Sequence, residues 1–213
     1  MSTIFPHLTV SQSVAGKPIL LGVLALQGDV REHETVLSKL GWDHRQVRTP
    51  AELELVDALI IPGGESSVID KLVRLFGLRE ALIARIRAGM PVLGTCAGLI
   101  LLADRIDGGL DDQQTLGGLD ISVARNAFGS QIDSFETEIT MPVIGGEPIK
   151  SAFIRAPIVT DPGNTEVIAT LPDGAIVGVR DGNVVGISFH PEVVGDTRVH
   201  EWWLTTVVAP TVR

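Results

Sequence analysis

The composition of this chain, 213 residues with 45% hydrophobic and 20% charged residues, excludes an intrinsically disordered protein and suits one α/β domain with a sizeable core. Its net charge of −9 excludes the basic surface that binding to nucleic acid or to an anionic membrane requires. A single cysteine excludes an internal disulfide, and no cluster of histidine and cysteine indicates a zinc site.

The N-terminal segment differs from the rest of the chain. Residues 1–17 are mostly polar, with no basic residue before Lys17 and no long apolar core, so they make a poor signal peptide. We expect a flexible extension there, followed by a single domain over residues 18–213. The apolar runs are far shorter than the ~20 residues that a membrane-spanning helix needs. A cytoplasmic protein is therefore expected.

Strands and helices are predicted to alternate in the first half of the domain. Continuous apolar runs that end in glycine or proline indicate buried strands, and apolar residues three or four apart indicate helices. Asp29 is expected to cap the first helix, Gly41 to end it, and Gly77 to interrupt the second. The predicted strands are 18–28, 44–49, 56–64 and 91–96, and the predicted helices are 29–40, 66–88 and 97–106.

The second half is predicted to consist of short strands separated by turns, with a helix at its end. The strands are 119–128, 134–144, 147–159, 165–171, 174–182 and 183–193, and the closing helix is 196–209. Alternation of strands and helices favours an α/β fold with three layers: a mostly parallel, twisted sheet with helices on both faces. The later strands are expected to add an antiparallel part.

The only cysteine, Cys96, stands between Gly94 and Gly98, where a predicted strand meets a predicted helix. Strand, sharp turn and helix form the plan of a nucleophile elbow, in which a strained residue exposes its side chain. Glycines on both sides keep the turn free of crowding. The helix N-terminus would favour a thiolate. A buried structural cysteine is the alternative.

A thiol nucleophile needs a base, and His190 is the best candidate among five histidines. It ends a predicted strand and precedes Pro191, so its backbone should be extended. Glu192 then lies on the same side and can orient the imidazole. A strand-end histidine with an exposed glutamate is the alternative. His33 and His200 are expected on solvent-exposed helix faces.

A glycine turn at Gly63 and Gly64 follows another buried strand. Backbone N–H groups there, together with that of Ala97, are candidates for an oxyanion hole. A phosphate-binding loop is disfavoured because the turn has no lysine and no Walker pattern. A plain glycine turn is the alternative.

Taken together, these motifs resemble the triad (class I) glutamine amidotransferases, whose fold is flavodoxin-like. The match narrows to the glutaminase subunit of pyridoxal 5′-phosphate synthase and covers about residues 19–208. The segments that carry it are LALQGDVREH (24–33), IIPGGESS (60–67), VARNAFGSQ (123–131), FIRAP (153–157) and GISFHPE (186–192).

The resemblance implies a role for each matched residue. Cys96 would be the nucleophile, His190 the general base and acid, and Glu192 the residue that orients His190. The backbone of Gly64 and Ala97 would form the oxyanion hole. The implied glutamine-binding residues are Gly64, Glu65, Ser66, Arg125, Ile154 and Arg155. An arginine commonly stands where this chain has Ser130. No metal and no cofactor are implied for this chain.

The resemblance also implies partners. L-glutamine would be the substrate, and ammonia would pass to a (β/α)₈-barrel synthase subunit that makes pyridoxal 5′-phosphate, within a hetero-oligomer. A glutaminase of another pathway, a non-catalytic regulatory subunit with the same fold, and a cysteine hydrolase or chaperone-like relative are the alternatives.

Overall fold

The computed structural model describes residues 13–14, 17–109, 112–125 and 134–212. The strands are β1 (Ser13–Val14), β2 (Lys17–Pro18), β3 (Leu21–Leu24), β4 (His44–Val47), β5 (Ala58–Ile61), β6 (Val92–Thr95), β7 (Ala103–Asp107), β8 (Leu119–Ala124), β9 (Ser134–Ile139), β10 (Ile149–Ile154), β11 (Ile158–Asp161), β12 (Glu166–Thr170), β13 (Ile176–Asp181) and β14 (Val184–Ile187). The helices are α1 (Val30–Lys39), α2 (Pro50–Leu53), α3 (Ser66–Leu75), α4 (Arg79–Arg87), α5 (Ala97–Leu102), α6 (Arg198–Trp203), a π-helical stretch (Leu204–Val208) and α7 (Ala209–Thr211).

One long sheet organises the molecule, with strands in the order β4-β3-β5-β6-β14-β13-β11-β8-β7 and β12 paired to β13. The half from β4 to β14 is parallel throughout. Strands β11, β12 and β13 pair antiparallel with their neighbours, and β7 pairs parallel with β8. The predicted mostly parallel sheet with an antiparallel part is therefore confirmed.

Two hydrophobic cores lie on opposite faces of the sheet. Successive residues of β5 alternate between the two cores: Ala58 and Ile60 belong to one core, and Leu59 and Ile61 to the other. Helix α1 and the C-terminal helices cover the first face, while α3, α4 and α5 cover the second. A strand with both faces buried needs apolar residues at every position, which is why these strands read as unbroken apolar runs. The predicted three layers are present.

Two stretches differ from the prediction for local reasons. The helix predicted for 97–106 ends at Leu102, because residues Ala103–Asp107 form strand β7 against β8 at the sheet edge. Helix α2 was not predicted. Its start is a capping box in which the Thr49 side chain accepts from the Glu52 N–H, and the Glu52 side chain accepts from the Thr49 N–H.

The strand predicted for 147–159 is two strands, β10 and β11. Arg155, with a positive φ of 43°, stands at the break between them. After this break β10 lies outside the long sheet: it pairs with β9 and contacts the segment after β14 through a single bridge between Ala152 and His190. Residues 147–159 contain no glycine, so no local signal predicted a positive φ at Arg155.

Strands β1 and β2 form a short antiparallel pair within the predicted N-terminal extension. Residues 1–12 and 15–16 lie outside the described residues, so the flexibility of the extension stays a prediction. Within the described part of the chain, no helix is long and apolar enough to cross a membrane.

The parallel strands place four chain segments at one edge of the sheet, where functional groups of α/β proteins gather. The segments that follow β3, β5, β6 and β14 carry Asp29, Gly64, Cys96 and His190. Close packing at this edge depends on glycine. A Cβ on Gly98 would lie 2.2 Å from the carbonyl oxygen of Ile61, and one on Gly94 would lie 2.6 Å from the carbonyl carbon of Gly98.

We predict that Gly98→Ala lowers the free energy of unfolding by about 3 kcal/mol, because the backbone of β5 has no room to move away. Gly145→Ala is the control for adding a methyl group without a steric clash: unlike Gly98, Gly145 has a positive φ of 69°, but no atom lies within 4 Å of the added Cβ. That control should cost about 1 kcal/mol. Urea unfolding measures both. Equal losses in the two variants would contradict the close-packing account.

Candidate active site

Cys96 occupies a strained turn between β6 and α5. Its backbone has φ 49° and ψ −99°, a conformation that costs of order 1–3 kcal/mol for a non-glycine residue. The turn is fixed by the bond from the Cys96 N–H to the carbonyl oxygen of Ile187, at 2.8 Å. Although only 6% of the residue is exposed, it lines an open cleft. Strand, turn and helix thus follow the plan expected from the sequence.

His190 and Glu192 are in direct contact. Nδ1 of His190 donates to Oε1 of Glu192 at 2.8 Å, as the extended backbone before Pro191 predicts. The His190 backbone is held by its N–H bond to the carbonyl oxygen of Ala152, also at 2.8 Å. Both side chains are buried, and the glutamate is not the exposed residue of the alternative interpretation.

The ionisation of this pair depends on competing effects. Burial lowers the pKa of His190, but hydrogen bonding with Cys96 and Glu192 outweighs it and raises the pKa to about 10. Burial raises the pKa of Glu192, but the neighbouring His33 and His190 rings and the bond to His190 lower it to about 2. At neutral pH the ring is therefore protonated and the carboxylate ionised.

Nε2 of His190 is buried, and no partner among the described residues meets the geometry of a hydrogen bond. The Cys96 side chain nevertheless interacts with the His190 ring, since it raises the pKa of that ring. Catalytic hydrogen bonds are often long before substrate binds and tighten with it. Cys96 and Glu192 thus both interact with the imidazole of His190.

The cleft beside Cys96 has a volume of about 220 Å³, which suits a small molecule. It brings together every residue that the resemblance implies for glutamine binding. Its lining includes Gln27, Asp29, Gly64, Glu65, Ser66, Cys96, Ile100, Arg125, Ile154, Arg155 and His190.

An ion pair stands on the cleft wall. Nη2 of Arg125 donates to Oε1 of Glu65 at 2.8 Å, and its Nη1 donates to Oε1 of Gln113 at 2.8 Å. Gln113 in turn donates to the Ser66 hydroxyl at 3.0 Å. These bonds fix Arg125 within the cleft. A position on a predicted strand would also have been compatible with a free charge on the surface, but Arg125 is not one.

The glycine turn after β5 lies against the imidazole. A Cβ on Gly63 would be 2.2 Å from Cε1 of His190, so only glycine permits this approach. Gly64 lines the cleft, and Ala97 begins α5 directly after Cys96. The first N–H groups of a helix have no partner within the helix. The assignment of Gly64 and Ala97 to an oxyanion hole stays a prediction.

The end of strand β10, in the two-stranded sheet of β9 and β10, also lies next to the sulfur of Cys96. Sγ of Cys96 lies 3.8 Å from the carbonyl oxygen of Ile154. The next residue, Arg155, has the positive φ noted above, and such strain in non-glycine residues concentrates at functional sites.

Asp29 was expected to cap α1, but its side chain makes no capping bond. Oδ2 instead lies 3.4 Å from Nδ1 of His190. Burial raises the pKa of this carboxyl, and the charge of His190 offsets only part of the increase. Asp29, His190 and Glu192 each present a ligand atom within 4.8 Å of the others, which is a possible metal-binding geometry. The bond from His190 to Glu192 already occupies two of these atoms.

The expectation that His33 and His200 face solvent is wrong. Both are completely buried, and Nδ1 of His33 lies 2.9 Å from Nε2 of His200. Nε2 of His33 lies 3.5 Å from Oε1 of Glu192 and 3.1 Å from the Thr95 hydroxyl. Helix periodicity does not reveal which polar residue enters the core, so this contact could not be predicted from the sequence. Ser130 lies outside the described residues.

Comparison with known proteins agrees with this geometry. The chain matches the model of the SNO glutamine amidotransferase family over residues 23–209. Among similar proteins is a pyridoxal 5′-phosphate synthase subunit PdxT of Leifsonia xyli subsp. xyli, 56% identical over 91% of this chain and 98% of its own length. The subunit of the same name from Clavibacter sepedonicus is 54% identical over 88% of this chain and 90% of its own length.

Solved structures agree on the fold. A crystal structure of a glutamine amidotransferase superposes with a TM-score of 0.82 at 44% identity, covering 89% of this chain and 98% of its own. The structure of PurLQS from Thermotoga maritima shares the fold alone, with a TM-score of 0.62 at 19% identity over 88% of this chain and 97% of its own. The chain therefore belongs to the SNO glutamine amidotransferase family.

Proposed function

We propose that this chain hydrolyses L-glutamine to L-glutamate and ammonia through a thioester on Cys96, and that it is the glutaminase subunit of a pyridoxal 5′-phosphate synthase. The observation that carries the proposal is the arrangement of Cys96, His190 and Glu192 at the end of a cleft of amino-acid size. The relatives named pyridoxal 5′-phosphate synthase subunit PdxT support the pathway.

The first half of the reaction uses His190 as an acid. The sulfur of Cys96 attacks the side-chain amide carbon of glutamine, and the oxygen of the tetrahedral intermediate is stabilised by the N–H groups of Gly64 and Ala97. The protonated ring of His190 then donates its proton to the departing nitrogen, which leaves as ammonia. A pKa of about 10 keeps that proton available at neutral pH.

The second half uses the same ring as a base. Once the sulfur is acylated, its interaction no longer raises the pKa of His190, while burial still lowers it. The neutral ring can then take a proton from water, which attacks the thioester and releases glutamate. Glu192 remains ionised throughout and fixes the orientation of the imidazole.

The ion pair on the cleft wall suits the charged end of an amino acid. Arg125 can make paired, charge-assisted bonds to the α-carboxylate of glutamine, and Glu65 can accept from its α-ammonium. A glutamine bound there would extend its amide toward the sulfur. Backbone groups of Ile154 and Arg155 would complete the contacts on the opposite wall.

Ammonia released into water at neutral pH becomes mostly ammonium, which is a poor nucleophile. A glutaminase therefore gains from a partner that receives ammonia internally, and we infer a (β/α)₈-barrel synthase subunit in that role. Such a complex would act in the cytoplasm. We further infer that docking rotates the Gly63–Gly64 peptide into position for the oxyanion, so the rate should rise on complex formation.

We predict that Cys96→Ala lowers ammonia release from glutamine at least about a thousandfold, because no other residue supplies the nucleophile. The assay compares the unmodified chain and the variant, each with and without the barrel subunit, and unfolding curves establish that the variant is folded. Unchanged release in the variant would favour a non-catalytic subunit or another nucleophile. Equal rates with and without the barrel would refute activation by the partner.

We predict that Arg125→Lys raises the KM for glutamine about tenfold to a hundredfold with a smaller effect on kcat, because lysine cannot make the paired bonds to a carboxylate. Arg105→Lys is the matched control, since Arg105 is ion-paired with Asp120 on the exposed edge of the sheet. Steady-state kinetics measures both. An unchanged KM in Arg125→Lys would remove Arg125 from the glutamine site.

A further inference from the structure

Two histidines that the mechanism does not use are buried behind Glu192. His33 comes from α1 and His200 from α6, and neither side chain is exposed at all. They contact each other through Nδ1 of His33 and Nε2 of His200 at 2.9 Å. The other nitrogen of His33, Nε2, faces Oε1 of Glu192 at 3.5 Å. The chain of contacts therefore continues past the carboxylate into the core.

Both rings are neutral. Burial lowers the pKa of His33, although the charge of Glu192 opposes this, and burial together with the neighbouring His33 ring lowers the pKa of His200 to about 3. A neutral imidazole has one N–H, so the position of its proton decides which neighbour it can serve. The titratable groups that influence the Glu192 carboxylate are His33, His190, His200 and Asp29.

The ionised carboxylate selects one arrangement of these protons. A lone pair on Nε2 of His33 would point toward a negative oxygen, whereas an N–H there is attracted to it. With the proton on Nε2, Nδ1 becomes an acceptor for the Nε2–H of His200. The hydrogen bond of this N–H goes to the Thr95 hydroxyl at 3.1 Å, and Oε1 of Glu192, at 3.5 Å, is in electrostatic contact with it.

We propose that His33 is a positioning residue for the reaction: its Nε2–H holds Oε1 of Glu192, and His200 fixes the proton of His33 on that nitrogen. The inference rests on the proposed roles of Cys96, His190 and Glu192. His33 touches neither the sulfur nor the cleft and acts only through the carboxylate.

The local geometry makes the carboxylate sensitive to this contact. Oε2 of Glu192 is buried and has no hydrogen-bond partner among the residues that the structure describes. Oε1, in contrast, accepts a bond from His190 at 2.8 Å and lies 3.5 Å from Nε2 of His33. Without His33, the carboxylate protonates at a higher pH and loses one of the two contacts that set its orientation.

The test compares His33→Leu with His33→Gln, whose amide nitrogen can replace Nε2–H. His44→Gln controls for loss of a histidine elsewhere, since the His44 side chain, on the outer strand β4, bonds to the carbonyl oxygen of Trp42. Each chain is assayed for glutaminase with the barrel subunit across pH, and iodoacetamide labelling across pH follows the lone thiol independently. Cys96→Ala supplies the background.

We expect His33→Leu to lower kcat about tenfold to a hundredfold with little change in KM, and to move the acidic limb of both pH profiles upward. His33→Gln should restore much of the rate and return the limb toward its original position. A His33→Leu variant that matches the unmodified chain, or that is slower with no shift in either profile, would overturn the inference. An unmodified chain without activity would overturn the proposed function as well.

A measurement on the unmodified chain covers the case in which His33→Leu does not fold. Nitrogen-15 spectra of histidine-labelled protein report which ring nitrogen carries the proton. We expect His33 to be neutral at neutral pH, with its proton on Nε2. A proton on Nδ1 would overturn the inference, because Nε2 would then have nothing to donate to Glu192.

Discussion

The site depends on one buried charge, the carboxylate of Glu192. A carboxylate removed from water is costly, and it stays ionised only where hydrogen bonds and opposite charge compensate for lost hydration. His190 supplies both through a 2.8 Å bond. Together with the interaction with Cys96, the same bond keeps the imidazole protonated, and it orients the ring. Without the ionised carboxylate, the ring would lose the bond that orients it.

The fold brings these groups together by stacking parallel strands. Residues 94 positions apart in sequence meet because β6 and β14 are neighbours and end at the same edge of the sheet. The approach of the surrounding loops is limited by volume, and glycine at positions 63, 94 and 98 leaves the necessary space. The strained backbone conformations of Cys96 and Arg155 are stabilised by the packing of the two hydrophobic cores around them.

Much of the fold and part of the candidate site could be predicted, because their signals are local in sequence. Unbroken apolar runs indicated the buried strands, flanking glycines indicated the elbow at Cys96, and Pro191 placed Glu192 beside His190. The family resemblance then pointed to residues that line the cleft, such as Arg125. From the sequence alone, Arg125 was also compatible with an exposed charge on the surface.

The rest could not be predicted because it depends on contacts between distant segments. Strand β7 exists because β8 pairs with it, and β10 lies outside the long sheet, separated from β11 by the break at Arg155. Asp29, His33 and His200 belong to helix ends and faces whose local pattern suggests caps or solvent. Their contacts with His190 and Glu192 become visible only when α1 and α6 are packed behind the sheet.

The central claim is that the lone thiol forms a covalent bond with the substrate, while the imidazole of His190 donates and accepts the proton. The most direct measurement is mass spectrometry of the complex mixed with glutamine and quenched in acid during turnover. The account predicts a glutamyl group attached to the peptide that contains Cys96, present at short times and lost as glutamine is consumed. Ammonia release without that adduct, or an adduct on any other residue, would contradict it.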